Sequence, residues 1–346
     1  MTQHDRTDAG DSVASARRLL DLVNSSWMCQ AIHVAARLGI ADLLAARAQS
    51  AEDLARTTGA HAPSLHRLMR ALVTIEICRE HGDGTFELTP MGALLRADVA
   101  GSLRSWTLYW GGSLWPIWGQ LLHSVMTGDS AREKVTGRAG FDRDPEETAV
   151  FNRAMVELTR LDAASIVQAC DFSGMNTIVD VGGGYGELLA AMLAANPAIR
   201  GVLFESPNTL ENARRHMDSA GVAERCDYVA GDFFESVPDG ADAYVLKSVI
   251  HDWNDAQSKA ILCNCRRAMH EGAKLLLIER IVPERLEPSP AHKAIARGDL
   301  NMLVGLGGRE RTEQEFRVLL QETGFQVNAL RSAGPTFGIV EATRSA

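Results

Sequence analysis

The hydrophobic positions of the chain follow a helical period in its first part and a strand-like pattern in its second part. Up to about residue 90, apolar residues recur three and four positions apart, and capping residues and glycines divide the segments. Residues 1 to about 10 are polar and predict disorder. The elements predicted after them are helix over 15–44 with a break at Gly39, a helix that begins at Ser50 and ends at Gly59, a helix from Pro63 to Leu72, and a hairpin over 77–88.

A different pattern begins at about Asp171, after a helical stretch over residues 100–165. Short apolar runs alternate there with helical segments, which predicts a doubly wound α/β sheet with ligands at the carboxyl ends of its strands. The last two strands have no helix between them and predict an antiparallel hairpin at the sheet edge. Strands are predicted at 177–181, 201–205, 226–230, 242–247, 273–280, 325–331 and 336–342, and helices at 186–195, 208–219, 255–270 and 312–323.

A glycine-rich turn follows the first strand, in Val179-Asp180-Val181-Gly182-Gly183-Gly184-Tyr185-Gly186, and Glu205 ends the second strand. Glycines let the backbone approach a ligand, and the acid can accept hydrogen bonds from ribose hydroxyls. The dinucleotide-binding fingerprint is Gly-x-Gly-x-x-Gly, and its third glycine falls at the position that Glu187 occupies in this chain. A negative side chain in the first helical turn suits a cationic sulfonium better than a pyrophosphate. The motif favours S-adenosylmethionine (SAM); an ordinary glycine turn is the alternative.

Two further strand ends carry residues suited to the same ligand. Gly231-Asp232-Phe233-Phe234 follows the third strand, where an acid and an aromatic ring suit adenine. Lys247-Ser248 ends the fourth strand, and the lysine could hold the SAM carboxylate. Each residue alone could be an ordinary polar loop residue. The predicted cofactor residues are Asp180, Gly182, Gly184, Glu205, Gly231, Asp232, Phe233, Lys247 and Ser248.

His251 follows the fourth strand and is a candidate general base. With an ordinary pKa of about 6.5, it is largely neutral at pH 7 and can accept a proton. A phenol, with a pKa of about 10, needs such a base to become a good nucleophile. Glu279 or Glu310 could orient the imidazole, and Asp252 could substitute for either. Glu310 is favoured because its glycine-flanked loop lets it project freely; a structural histidine and ion-paired acids are the alternatives.

Aromatic residues cluster in the helical stretch that precedes the glycine motif, where four of the six tryptophans lie. Trp106, Tyr109 and Trp110 share one helical face, and Phe151 and Met155 lie on a second stripe. Both stripes could pack a domain or subunit seam. They could also form walls of a pocket for a flat aromatic ligand, for which Met155 is well suited because a thioether adapts to aromatic faces.

Composition limits the possible functions. The net charge of −9 argues against a broad nucleic-acid surface, and the absence of a long apolar run or of an apolar leader predicts a cytoplasmic protein without a membrane span. The six scattered cysteines form no zinc motif. Helix, turn, helix and hairpin over residues 50–88 are typical of a winged helix, but four arginines are balanced by four acids over 50–80. A structural or dimerising role is favoured there, with a DNA-binding regulator as the alternative.

These motifs together resemble the metal-independent small-molecule O-methyltransferases that use SAM, which include plant caffeic acid and isoflavone enzymes and bacterial antibiotic-tailoring enzymes. The resemblance implies a class I SAM-methyltransferase fold, with a Rossmann-like sheet over 166–346. It also implies a mainly α, winged-helix dimerisation domain over 1–100, a helical connector over 101–165 and a homodimer. The matching segments are 179–184, 204–207, 231–234, 246–253 and 308–312.

The activity implied by the resemblance is methylation of a phenolic hydroxyl on an aromatic secondary metabolite, without a metal and with S-adenosylhomocysteine as the second product. His251 is then the base, with Glu279 and Glu310 beside it. Ser206 and Trp253 join the cofactor residues. The acceptor pocket is expected to involve Trp106, Trp110, Met126, Phe151, Met155, Asn301 and Met302.

One position departs from the plant pattern: Ser248 stands where plant members have an aromatic residue. This favours a phenol or quinol of an aromatic polyketide, a phenazine or a similar metabolite over a monolignol. Some relatives have lost the base and use SAM as a structural cofactor in decarboxylation, hydroxylation or ring closure. This chain keeps His251 and both acids, which favours methylation, while a non-methylating relative remains the alternative.

Overall fold

A computed structural model of the chain describes residues 3–138 and 140–345, with side chains from residue 12 onward. Disorder was predicted for residues 1 to about 10, but residues 3–10 belong to the first helix. Residues 1 and 2 lie outside the described residues. The chain divides into two compact units, Met1–Ser113 and Leu114–Ala346. The predicted domain boundaries lie elsewhere, at 100 and 165.

The first unit is mainly helical and holds a small antiparallel sheet with the strand order β1-β3-β2. Its core is formed by side chains with no exposed surface, such as Leu54, Met69, Leu72 and Phe86. Its helices are α1 (Gln3–Arg37), α2 (Ile40–Leu44), α3 (Ala51–Thr58), α4 (Ala62–Val73), α5 (Pro90–Ala93) and α6 (Arg104–Gly111), and its strands are β1 (Gln49–Ser50), β2 (Cys78–Glu80) and β3 (Thr85–Leu88).

Local signals in the sequence explain where these helices begin and end. The Ser50 hydroxyl accepts the N–H of Asp53 at 3.1 Å and caps α3. Gly39 (φ 65°) separates α1 from α2, and Gly59 (φ 73°) ends α3; both lie in the left-handed region that glycine adopts without strain. These helix boundaries are confirmed, whereas the winged-helix interpretation stays a prediction.

Helix α1 carries an exposed apolar surface. Five large side chains between residues 19 and 27 are 53–66% exposed within the single chain. A surface of this kind is typical of an interface with another molecule. Its members are Leu19, Leu20, Leu22, Val23 and Trp27.

The second unit is built on a seven-stranded sheet with the order β11-β12-β8-β7-β4-β5-β6. Five of its strands are parallel, and the β11–β12 hairpin is antiparallel at one edge, as predicted. The sheet strands are β4 (Thr177–Val181), β5 (Arg200–Glu205), β6 (Cys226–Ala230), β7 (Ala243–Lys247), β8 (Lys274–Glu279), β11 (Phe325–Ala333) and β12 (Phe337–Arg344), and β9 (Ile281–Val282) pairs separately with β10 (Arg311–Thr312).

Helices cover both faces of this sheet. Alternate residues of β4 enter different cores: Ile178 packs toward the cluster with Leu189 of α11, and Val179 toward the cluster with Ile261 of α13. The helices are α7 (Leu114–Trp118), α8 (Leu121–Thr127), α9 (Ala131–Thr136), α10 (Pro145–Ala169), α11 (Glu187–Ala195), α12 (Pro207–Ser219), α13 (Asp255–Ala268), α14 (Pro290–Gly305) and α15 (Glu313–Glu322).

Three elements of the second unit were not predicted from the sequence. Helix α14 has a Ser289 cap that accepts the N–H of His292, a signal that was present in the sequence. Strands β9 and β10 are two residues each and have no periodicity to detect. None of the six cysteines is in a disulfide, and no helix of the described residues is long and apolar enough to span a membrane.

Candidate active site

A cavity of about 710 Å³ lies at the carboxyl ends of strands β4 to β7 in the second unit. Parallel strands deliver the ends of their loops to this one edge of the sheet. The cavity is lined by all of the predicted cofactor residues, namely Asp180, Gly182, Gly184, Glu205, Ser206, Gly231, Asp232, Phe233, Lys247, Ser248 and Trp253.

The glycine turn after β4 forms the floor of this cavity. A Cβ on Gly183 would lie 2.4 Å from Oδ2 of Asp180, and one on Gly182 (φ 71°) would lie 3.2 Å from the Val249 side chain. The turn therefore needs glycine for its close packing as well as for its backbone angles. The Glu205 carboxylate accepts the N–H of Gly184 at 3.2 Å and the N–H of Ser206 at 2.7 Å.

Two buried polar atoms at the cavity have no hydrogen-bond partner among the described residues. They are Oδ2 of Asp180, an acceptor, and Nε1 of Trp253, a donor. Burial, together with the charge of Glu205, raises the pKa of Asp180 to about 7. Because unpaired buried polar groups cost free energy, both atoms favour a polar ligand that would pair with them.

Lys247 is also held at this strand end. Its Nζ donates to Oγ1 of Thr159 at 3.1 Å and lies 5.0 Å from the centre of the Phe337 ring. Burial, followed by the nearby charge of Arg280, lowers the pKa of Lys247 to about 8. The next residue, Ser248, has φ 54°, a left-handed conformation that is strained for a residue other than glycine.

Aromatic rings form an apolar wall of the cavity. The Trp253 ring contacts Phe234 edge-on at 4.7 Å between centroids and Phe233 at 5.9 Å. The Phe141 ring lies 5.8 Å from that of Trp253 and 6.1 Å from that of Phe151. A flat ligand can pack against such rings.

Glu187 does not supply the free negative charge that the sequence argument assumed. Its carboxylate is paired with Arg160 at 2.8 Å and 2.9 Å and with Nε2 of His216 at 2.7 Å. Burial alone would raise the pKa of Glu187, but the hydrogen bonds from His216 and Arg160 outweigh it and lower the pKa to about 2. Its charge is compensated by these neighbours, so the electrostatic preference for a sulfonium cannot rest on Glu187.

His251 lies buried beside the cavity, with three carboxylates around its ring. Its Nδ1 lies 3.0 Å from Oε1 of Glu310, at hydrogen-bond distance, and 3.7 Å from Oε2 of Glu279. Its other nitrogen, Nε2, lies 3.4 Å from Oδ1 of Asp252. Asp252 lines the cavity, whereas His251 is absent from its lining.

The two glutamates contact the His251 turn in different ways. Oε1 of Glu279 accepts the backbone N–H groups of Val249 at 3.1 Å and Ile250 at 2.8 Å. Glu310 instead bonds the ring, and Nη1 of Arg280 contacts the same Oε1 atom at 3.2 Å. Glu279 thus anchors the backbone, and Glu310 is the partner of the imidazole.

Glu310 does not project freely from its loop, contrary to the sequence argument. Its side chain has no exposed surface, and its backbone N–H donates to Asp299 at 2.9 Å. The preceding glycine serves close packing: a Cβ on Gly308 would lie 2.1 Å from the carbonyl oxygen of His251. The loop that carries Glu310 therefore packs directly against the backbone of the His251 turn.

The charge state of His251 also differs from the expectation of a largely neutral ring at pH 7. Burial lowers the pKa of His251, but Glu310, Glu279 and Asp252 outweigh it and raise the pKa to about 9. Burial raises the pKa of Asp252 to about 7 and raises that of Glu279. For Glu310, the charges of His251 and Arg280 outweigh burial and lower the pKa. At neutral pH, the ring is therefore an imidazolium paired with the Glu310 carboxylate.

The predicted acceptor residues occupy several places. Phe151 and Met155 of α10 line the cavity. On α14, Met302 is buried, and Asn301 accepts the Nε1–H of Trp118 at 3.0 Å. Met126 on α8 is 74% exposed and does not line the cavity. In the first unit, the rings of Trp106 and Trp110 stack 5.8 Å apart on α6.

Sequence reasoning missed several residues of the site. Among them are Phe141 in the aromatic wall, Thr159, which receives the Lys247 hydrogen bond, Arg280 and Arg311. The two arginines directly follow the predicted acids Glu279 and Glu310, and this pairing is the one signal that could have indicated them.

A doubly wound sheet of this order, with a glycine-turn cavity and a buried histidine–carboxylate pair at its strand ends, defines a class I methyltransferase. The O-methyltransferase domain family matches residues 118–326, and the O-methyltransferase dimerisation domain family matches residues 20–98. The chain belongs to the O-methyltransferase family.

Individual relatives agree with this assignment. The chain is 40% identical to phenazine O-methyltransferase PhzM of Lysobacter antibioticus, over 99% of both chains. Its fold matches the crystal structure of LaPhzM with a TM-score of 0.92 and 40% identity, over 95% of this chain and 99% of that one. It also matches the O-methyltransferase NcsB1 from neocarzinostatin biosynthesis, in complex with SAM and 2-hydroxy-5-methyl naphthoic acid, with a TM-score of 0.78 and 34% identity over 92% and 96% of the chains.

Proposed function

We propose that this enzyme transfers the methyl group of SAM to a phenolic hydroxyl of an aromatic secondary metabolite, with His251 as the general base. The observation that carries the proposal is the His251–Glu310 pair, 3.0 Å apart and buried directly beside the strand-end cavity. One relative is named a phenazine O-methyltransferase, and another is an O-methyltransferase in complex with 2-hydroxy-5-methyl naphthoic acid; both names support a fused aromatic acceptor.

The lining residues fit SAM. The unpaired atoms of Asp180 and Trp253 offer an acceptor and a donor, and the Glu205 carboxylate suits the ribose hydroxyls. Asp232 and Phe233 suit the amine and the flat face of adenine, and Lys247 suits a carboxylate. When bound, SAM supplies an electrophilic methyl group and is released as S-adenosylhomocysteine.

His251 holds and moves the proton of the acceptor. Glu310 fixes the Nδ1 side of the ring, which leaves Nε2 for the acceptor hydroxyl in place of its present contact with Asp252. With a pKa of about 9, the ring is closely matched to a phenol of pKa about 10, so the proton crosses at small cost. Glu310 and Glu279 stabilise the imidazolium that forms. Alignment of the reacting atoms supplies most of the remaining rate.

The acceptor lies against the apolar part of the cavity in this proposal. Phe151 and Met155 offer a ring and a thioether, both suited to an aromatic face. We also retain Asn301 and Met302 of α14 and Met126 of α8 as proposed acceptor residues.

We propose that the reaction uses no metal. Single ligand atoms of His251, Glu279 and Glu310 lie within 4.8 Å of one another, a spacing that could hold an ion. However, Oε1 of Glu310 already contacts two cationic groups, the Arg280 guanidinium and the His251 imidazolium. Both would repel a metal cation at this place. Turnover unchanged by a strong chelator is expected, and loss of turnover that one divalent metal restores would contradict this.

We propose that two copies of the chain form a homodimer through the first unit. We also propose that the protein is cytoplasmic. The dimerisation-domain match and the exposed apolar surface of α1 support it. DNA binding is not favoured. The Glu80 carboxylate of the hairpin lies 3.7 Å from His66 and 3.9 Å from Arg70, two basic side chains of α4, and its negative charge would oppose a phosphate there. Sedimentation equilibrium should give twice the mass of the chain, and a monomer at micromolar concentration would contradict the dimer.

Transfer of an isotope-labelled methyl group tests the proposed activity. The enzyme is incubated with SAM carrying a trideuterated methyl group and a panel of hydroxylated phenazines, naphthoates and anthraquinones, and products are analysed by mass spectrometry. A product heavier by one labelled methyl on oxygen is expected. An acceptor that is decarboxylated, hydroxylated or cyclised while SAM remains intact would instead assign the chain to the non-methylating relatives.

A further inference from the structure

The segment that carries Glu310 grips the His251 turn at several points besides the ring. Gly308 packs against the carbonyl oxygen of His251, and the N–H of Arg309 donates to the same oxygen at 2.8 Å. The backbone of the turn is thus fixed by the segment that supplies the partner of the imidazole.

Arg311 makes the most extensive of these contacts, although its side chain is only 1% exposed. Its guanidinium donates to the carbonyl oxygen of Ile250 at 3.0 Å and to that of Trp253 at 2.8 Å. It also donates to Oδ1 of Asp255 at 2.8 Å and to Oγ of Ser258 at 3.2 Å, both on α13. One side chain therefore ties the two carbonyls that flank His251 to the start of a helix.

The geometry of a guanidinium makes this clamp possible. Arginine presents five donors in a rigid plane and stays charged, whereas a lysine ammonium is a compact point charge. Two N–H groups of the turn are held by Glu279, which accepts from Val249 and Ile250. Backbone N–H groups and carbonyl groups of the His251 turn are therefore both hydrogen-bonded, and this fixes the orientation of the imidazole.

We propose that Arg311 is a positioning residue for His251: by clamping the carbonyls of Ile250 and Trp253, it sets the position of the imidazole relative to Glu310 and to the cavity. This inference rests on the proposed function, in which His251 is the base. Arg311 acts through these carbonyls: it is absent from the cavity lining, and its guanidinium is engaged by Ile250 and Trp253.

Arg311→Lys tests the clamp because it keeps the positive charge and removes the fork. We expect kcat to fall about 10- to 100-fold, the cost of a base displaced by about an ångström. The dissociation constant for SAM should stay within about twofold, since Arg311 contacts the proposed cofactor residue Trp253 at its backbone carbonyl and not at its ring. Arg317→Lys on α15, where an exposed arginine pairs with Glu313, is the matched control and should leave both values unchanged.

A double-mutant cycle separates positioning from a general structural role. If Arg311 acts through His251, Arg311→Lys should cost little further activity once His251 is already Gln. The same loss in both backgrounds, or no loss in either, would overturn the inference. If His251→Gln itself keeps normal turnover, the proposed base fails instead, and the two failures are thereby distinguished.

A milder variant covers the outcome in which Arg311→Lys does not fold. Asp255→Ala removes one anchor of the guanidinium and leaves no buried cavity, because the Asp255 side chain is 56% exposed. The inference predicts a smaller fall in kcat, of a few-fold, that also disappears in the His251→Gln background. A fall that persists in that background, or unchanged kcat in the folded variant, would contradict it.

Discussion

Nδ1 of His251 and Oε1 of Glu310 lie 3.0 Å apart, although residue 310 follows residue 251 by a helix, two strands and a further helix. The His251 side chain is 6% exposed and that of Glu310 is fully buried. In such a dry site the carboxylate stabilises the charged ring strongly. The relationship gives His251 both an orientation and a raised pKa.

Replacement of His251 by glutamine should remove the base and leave the cofactor site intact. We expect kcat to fall about 10²- to 10⁴-fold, the usual contribution of general acid–base catalysis. Calorimetry should give an unchanged affinity for SAM, because His251 does not line the cavity. His66→Gln, at a half-exposed site in the first unit, is the control. A variant that turns over at a near-normal rate would refute the assignment of the base.

The pH profile should report the raised pKa of His251. Below a pH of about 9 the ring is protonated and cannot accept the phenol proton, so kcat/KM should rise with pH, about tenfold per unit. Above about pH 10 the free phenol is ionised and the His251 ring is neutral. The phenolate then meets no imidazolium to pair with, so kcat/KM should level off or fall. A profile that is already flat from pH 7 to 9 would show an unperturbed histidine.

Neutralising the two glutamates should move the rising limb of that profile by different amounts. Both charges raise the pKa of His251, and Glu310 contributes more than Glu279. Glu310→Gln should therefore shift the limb to lower pH by more than Glu279→Gln, and should lower the maximal kcat because it removes the partner of the imidazolium. Equal shifts, or a shift to higher pH, would contradict the different contacts of the two acids.

Glu205→Gln tests the proposed ribose contact. The charged hydrogen bonds that the carboxylate would make contribute about 1.5–3 kcal/mol, so SAM affinity should fall about 10- to 100-fold. Glu211→Gln replaces an exposed glutamate on the neighbouring helix and serves as the control. Identical calorimetric affinities for the two variants would exclude Glu205 from the binding site.

Gly308→Ala should destabilise the site directly. Its Cβ would meet the His251 carbonyl oxygen at 2.1 Å, a backbone atom that cannot rotate away. We expect the free energy of unfolding to fall by about 1–3 kcal/mol, as for other overpacked sites, and kcat to fall with it. Gly305→Ala, three residues earlier, adds a carbon that meets no atom within 4 Å beyond its own stretch of helix backbone. This variant should keep or slightly raise the free energy of unfolding measured with urea. Equal behaviour of the two variants would contradict the close approach.

The elements of the second unit were predictable because local signals coincide there. Strand β4 has the predicted bounds, 177–181, since an apolar run ends in a glycine turn. Parallel topology then brings Asp180, Glu205, Asp232 and Lys247 to one edge without further information. Helix α14 has a weaker pattern, contacts α7, α8, α9 and β9, and escaped prediction.

The electrostatics of the site could not be predicted, because they depend on contacts between distant segments. The sequence does not indicate that Arg160 and His216 neutralise Glu187, or that three carboxylates raise the pKa of His251. Nor does it indicate that Glu279 bonds the backbone while Glu310 bonds the ring. Residue types and strand ends indicated the candidates, and packing decided their roles.

The most direct test of His251 as the base compares the wild type with His251→Gln over a series of acceptors of graded acidity. The same aromatic scaffold, substituted so that the phenol pKa runs from about 10 to below the assay pH, is assayed with saturating SAM. We predict that the loss caused by the substitution is about 10²- to 10⁴-fold for the least acidic phenol and nearly vanishes for one already ionised. A loss of the same size for every acceptor would contradict the proposal that this ring removes the proton.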